Sequence, residues 1–164
     1  MQASHYKYHK MRKLFIFLIV FCTGFQLAGQ TGRLPTSCPA DLKLTYHYDG
    51  GMRYYSEDLL VSKDSCVFEK NDGGKKKRNK FILTNAEFNA FYAMLKANQF
   101  DKIIYTTETG VHDRGGISMN LSWDKNRQEI RVSNAQMSFV KERWIKEWQT
   151  VCDYLLNIIR KKAA

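Results

Sequence analysis

Glu108, His112 and Asp113 are the residues whose types and spacing best fit catalysis in this chain. An imidazole titrates near neutrality and can take a proton from water. Two neighbouring carboxylates could orient it or share a metal ion with it, which is the chemistry of metal-assisted hydrolysis. The three fall in the longest polar stretch, residues 106–116, and loops on a rigid scaffold are where such groups collect. His47 and Asp49 form a second pair on one face of an alternating segment. Its plainer reading is a solvent-facing strand end running into a turn. A protein zinc centre takes three or four His, Cys or acidic ligands, often closely spaced. Beyond residues 1–29 only His47 and His112 remain, with no His-x-x-x-His and no Cys-x-x-Cys, so neither a metal site nor a cofactor is expected. The chain also lacks the Gly-x-Ser-x-Gly elbow of serine hydrolases.

The segment His112-Asp113-Arg114-Gly115-Gly116 resembles the Asp-Arg-Gly-His motif of secreted non-specific nucleases. Gly116 stands where that family has its catalytic histidine, so the motif positions no base. Asp113 and Arg114 then read more simply as a turn and an ion pair leading into a strand from Ile117.

A different chemistry is offered by Lys75, Lys76, Lys77, Arg78 and Lys80, five cations within six positions. Such a run can hold an anionic polymer by releasing its counterions. The plainer reading is a solvated hairpin tip after Asn71-Asp72-Gly73-Gly74 that also blunts a sheet edge.

These groups need elements to carry them. Residues 1–29 read as a secretory signal peptide: Lys7, Lys10, Arg12 and Lys13 precede an apolar run from Leu14 to Phe25, and Leu27-Ala28-Gly29 predicts cleavage before Gln30. The whole chain carries 26 Lys and Arg against 16 Asp and Glu. The leader removes four of the basic residues and none of the acidic ones, which leaves the mature chain at +6. Cys38, Cys66 and Cys152 remain, enough for one disulfide and one thiol in an oxidising compartment. A tight hairpin at Asp49-Gly50-Gly51, pairing Tyr48 with Met52, would bring Cys38 and Cys66 to the same end of a sheet, two strand spacings or ~10 Å apart. A Cys38–Cys66 bond is expected if the Pro39 segment curls inward. Cys152, between Trp148 and Leu155, is expected to be a buried thiol.

After a polar lead-in at residues 30–38, one domain is expected over residues 39–162. Leu42, Leu44, Tyr46 and Tyr48 alternate with polar residues, as do Ile117, Met119, Leu121 and Trp123, which is the period of half-buried strands. Thr84 and Glu87 have capping-box spacing ahead of the helical stripe Phe88, Phe91, Tyr92 and Leu95. A loop is expected over 133–138, then a long helix over 139–161. The order strands–helix–strands–helix predicts an α+β fold with a mainly antiparallel sheet and a long C-terminal helix.

The order of Cys38-Pro39, Leu42 to Tyr46, Asp49-Gly50, Tyr54, Phe88 with Phe91 and Leu95, Phe100, Asp113 and a helix from Trp144 resembles a small exported bacterial cell-envelope domain of unknown function. The resemblance covers nearly all of the mature chain. It implies an α+β fold in the periplasm or outside the cell, and no particular activity. The leading expectation is an exported, non-catalytic interaction domain with a protein or envelope partner. A metal-assisted hydrolase using the 108–113 loop and a basic domain adhering to anionic glycan, lipid or nucleic acid are the alternatives; of these partners nucleic acid is the least expected, and no membrane span is expected in the mature chain.

Overall fold

The computed structural model of the chain describes residues 33–52, 54–111 and 113–163. The expected signal peptide, the start of the lead-in and His112 lie outside the described residues.

The expected alternation builds the first strand, β1 (Lys43–Asp49), in which Leu44 and Tyr46 are buried while Lys43, Thr45 and His47 are exposed. The chain continues in β2 (Tyr55–Ser62), β3 (Cys66–Asp72) and β4 (Lys75–Phe81). Helix α1 (Asn85–Ala97) follows, then a short strand β5 (Tyr105–Thr107). Strands β6 (Gly116–Trp123), β7 (Gln128–Asn134) and β8 (Ser138–Val140) lead to the terminal helix α2 (Ile145–Lys162). Six strands form one antiparallel sheet in the order β4-β3-β2-β1-β6-β7, and β5 pairs with β8 beside it. The fold is α+β, with strands, a helix, more strands and a long C-terminal helix. No described helix is long and apolar enough to cross a membrane.

One face of the sheet supplies Leu44, Tyr46, Leu59, Val61, Phe68, Met119, Leu121, Ile130 and Val132 to the core. Phe88, Phe91 and Leu95 of α1 and Trp148, Val151 and Leu155 of α2 join the same cluster, so both helices lie on that face. The helices meet through the stacked rings of Phe91 and Tyr154, 6.4 Å apart. The opposite face is polar. Arg78, Glu69, Asp58, His47, Ser118 and Ser133 stand side by side across it in register.

Helix α1 starts as its sequence demands. Glu87 N donates to Thr84 Oγ1 at 3.2 Å, and Thr84 N donates to Glu87 Oε2 at 2.8 Å. The other oxygen of Glu87 meets Lys162 Nζ at 2.7 Å, tying the start of α1 to the end of α2. The lysine first, then the Thr84 amide, hold the Glu87 carboxyl down at about 2. A depressed carboxyl stabilises the fold above its unfolded value of ~4.3 and loses that contribution as pH falls towards the folded value. Urea unfolding should therefore find the native protein more stable than Glu87→Gln at pH 6, with the gap closing as pH drops from 5 to 2. A gap independent of pH would contradict the Lys162 pairing.

Three expectations are corrected. Tyr48 pairs with Glu57 rather than Met52, because Asp49 Oδ1 accepts from Gly51 N at 2.9 Å and the chain opens into a wider turn before Gly50 N bonds Tyr55 O. The basic run is not a hairpin tip but the whole of β4; the tip is only Gly73-Gly74, both at positive φ. Phe139 belongs to β8, and the terminal helix begins only after a 3₁₀ turn at Glu142–Trp144.

Candidate functional site

Of the expected catalytic loop, Glu108 and Asp113 are among the described residues and His112 is not. Glu108 and Asp113 are both exposed, and neither borders the hollows described below. Glu108 N is spent on Met137 O at 2.8 Å. Among the described residues no three His, Cys, Asp or Glu side chains are grouped to hold a metal ion. His47 Nδ1 pairs with Asp58 Oδ1 at 2.7 Å on the open sheet face, and not with Asp49, whose carboxylate caps its own turn.

Asp113 to Gly116 serve the architecture instead. Arg114 forms no ion pair among the described residues; its guanidinium donates to the carbonyls of Ser138 at 2.9 Å, Gln136 at 3.2 Å and Asn134 at 3.3 Å, and to Asn134 Oδ1 at 2.9 Å. It also lies 4.2 Å over the Phe139 ring. A Cβ on Gly115 would sit 2.5 Å from Asp49 O and 2.9 Å from Gly51 N. The β1–β2 turn and the segment entering β6 thus touch backbone to backbone. Gly116 has φ +155 and leaves no room for a side chain against Asn134 O. The position at which the nuclease motif carries histidine is closed to any side chain.

Strand β4 places the basic run at the outer end of the six-stranded sheet. Lys75, Lys76, Lys77, Arg78 and Lys80 are all exposed. Arg78 Nε pairs with Glu69 Oε1 at 2.9 Å, while the four lysines make no ion pair among the described residues. The two-glycine turn makes Asp72 and Lys75 the first pair of the β3–β4 ladder. Alternate residues of an antiparallel pair turn their N–H and C=O towards the partner and away from it. Lys76, Arg78 and Lys80 therefore present their backbone groups at an edge that no other described strand pairs. Their side chains lie on the open face of the sheet, and those of Lys75 and Lys77 on the helix side. A hollow of about 340 Å³ beside the edge is lined by Asp58, Glu69, Lys70, Lys76, Lys77 and Arg78, among others.

A second site has no counterpart in the sequence reading. On the helix side, Tyr46, Tyr48, Tyr55, Glu57 and Asp72 border a cleft of about 460 Å³ whose remaining wall includes Ile117 and Leu156. The Tyr48 and Tyr55 rings meet edge to face at 5.8 Å. The Tyr55 hydroxyl donates to Glu57 Oε1, and that bond first, then burial, raises the phenol to about 12. Alternation marked Tyr46 and Tyr48 only as core-facing. The clue in the sequence is that their face continues into Glu57 and Asp72, carboxylates at positions where a filled core would be apolar.

Cys38, Cys66 and Cys152 are free thiols in the structure, not a Cys38–Cys66 bridge. The Cys38 thiol turns to Pro39 O at 3.7 Å, and that of Cys66, inside the core, to Ser62 O at 3.8 Å. Burial raises the thiols of Cys38 and Cys66 and pushes that of Cys152 up to about 12, which keeps them protonated at neutral pH. Compared with protein-family models and with curated proteins, the sequence matches none.

Proposed function

We propose that this chain is an exported, non-catalytic interaction domain that takes an acidic, extended segment of a partner protein onto the free edge of β4. The observation that carries the reading is the placement of an exposed cationic run along an outermost strand. An added strand gains main-chain hydrogen bonds from an unpaired edge, while its side chains set specificity. The β4 edge is closed to a second copy of itself, because edge-to-edge pairing would set lysines opposite lysines. A strand rich in Asp and Glu reverses that sign.

The distribution of charge favours a peptide over a polyanion. Side chains of an added strand alternate between faces, and β4 offers cations on both: Lys75 and Lys77 on one, Lys76 and Lys80 on the other. A glycan or lipid surface approaching from the open face meets Lys76 and Lys80, roughly 13 Å apart, with Arg78 between them already paired to Glu69.

The test uses an acetylated octapeptide of Glu interspersed with Thr and Val, with heparin as the competing polyanion. The peptide is expected to bind, and Lys75→Glu with Lys77→Glu to weaken it at least tenfold, equivalent to about 1.4 kcal/mol. Lys76→Pro removes an outward N–H and no ladder bond, so it should block the peptide while leaving the thermal midpoint nearly unchanged. Tight heparin binding with a steep salt slope, unaffected by the proline, would overturn the peptide reading in favour of a polyanion.

A further inference from the structure

The tyrosine cleft supports an inference independent of the basic edge. Tyr46 is only 2% exposed, yet it borders the cleft and its hydroxyl has no hydrogen-bond partner among the described residues. The hydroxyl is not one of the buried polar atoms that lack a partner, because it opens on the cleft, where a bound polar group can take the place of water. Glu57 and Asp72 border the same space, and both are acceptors when ionised. The rings of Tyr46, Tyr48 and Tyr55 add the negative faces that attract cations. One of these rings already does so: Lys70 Nζ stands 4.9 Å from the Tyr55 centroid. Glu57 and Asp72 are the only charged side chains among the described residues that line the cleft; Lys70 and Lys75, their partners in the sheet register, stand beside it on the same face.

The cleft also has a direction. Tyr48, Ile117 and Leu156 are shared with an adjoining hollow of about 290 Å³ that runs beside α2 to Trp148 and Cys152. One end is thus aromatic and acidic, and the other sets Ile117, Ile145, Trp148 and Leu156 among the polar side chains of Arg114, Asn134, Gln149 and Asp153. We propose that this cleft binds a primary amine with an apolar tail, its ammonium between Glu57, Asp72 and the tyrosines and its tail along Ile117, Leu156 and Trp148. The ammonium donates up to three hydrogen bonds, which suits a site whose polar groups are carboxylate and phenol oxygens. An anion is repelled there, and a neutral alcohol gains the apolar contact without the charge.

The probes are n-hexylamine, n-hexanol and hexanoate, titrated into the full folded protein with binding read from backbone amide and Trp148 indole shifts. Hexylamine is expected to shift signals of Tyr46, Tyr48, Tyr55 and Trp148. Hexanol should bind about tenfold more weakly, and hexanoate should give no shift there. Glu57→Gln with Asp72→Asn should erase the preference for amine over alcohol. Both positions are at the surface end of their strands, so the thermal midpoint checks that the fold is kept. Tyr46→Phe keeps the ring and should weaken the amine about fivefold. Equal binding of hexanol and hexylamine, a preference that survives the double variant, or shifts confined to other residues would each overturn the proposal.

Discussion

Replacing Gly116 with alanine should destabilise the protein by about 3 kcal/mol or more. Two effects add at this residue. The backbone at φ +155 is one that L side chains rarely adopt, with a strain of about 1–3 kcal/mol. The new Cβ also meets Asn134 O and, at 2.8 Å, Ala135 Cα, both part of a neighbouring backbone that cannot rotate away. Overpacking of this kind costs about 1–3 kcal/mol. For a domain of this size the sum lowers Tm by roughly 10 °C. Gly115→Ala should act in the same direction, because Asp49 O and Gly51 N crowd its Cβ. Gly73→Ala is the comparison: it has φ +58 but no atom within 4 Å of its Cβ, so only the backbone strain remains. A Gly116→Ala protein as stable as Gly73→Ala would contradict the backbone contact.

Arg114→Ala should cost about 2–3 kcal/mol, and Arg114→Lys should recover little of it. The guanidinium serves four acceptors in one planar fork and rests on Phe139, which holds the bend between β7 and β8 against the entry to β6. Hydrogen bonds from a charged donor contribute about 1.5–3 kcal/mol each when buried, and water replaces part of that at this half-exposed site. A lysine ammonium is a point charge that cannot span the same acceptors. The check is the urea midpoint of both variants at neutral pH. A lysine variant matching the native midpoint would reduce Arg114 to a simple surface charge.

These two residues also show where the sequence was legible. The strands at Leu44 and Met119 and the helix cap at Thr84 could be read because their signals are local: period-2 alternation and a three-residue spacing. Strand β4 could not, since a lysine-rich run has no apolar alternation and becomes a strand only by pairing with β3. Phe139 read as helix because the partner of β8 is β5, some thirty residues earlier in the chain. The Asp-Arg-Gly-Gly segment looked like chemistry because the residue types of a close backbone joint, glycine and a forked cation, are also those of active-site loops. The tyrosine cleft was hidden for another reason. Whether Tyr46 and Tyr48 meet a filled core or a hollow depends on where α2 runs over the sheet, which no local pattern encodes.

The central claim, that β4 accepts an acidic strand, is tested most directly by amide hydrogen exchange on the native protein with and without the acidic octapeptide. Exchange reports the backbone groups themselves, whereas affinity alone does not separate strand addition from loose charge attraction. Strand addition predicts that the amides of Lys76, Arg78 and Lys80 become protected on binding, while the ladder amides of Lys75 and Lys77 change little. Binding that leaves the Lys76, Arg78 and Lys80 amides exchanging as in the free protein would contradict it.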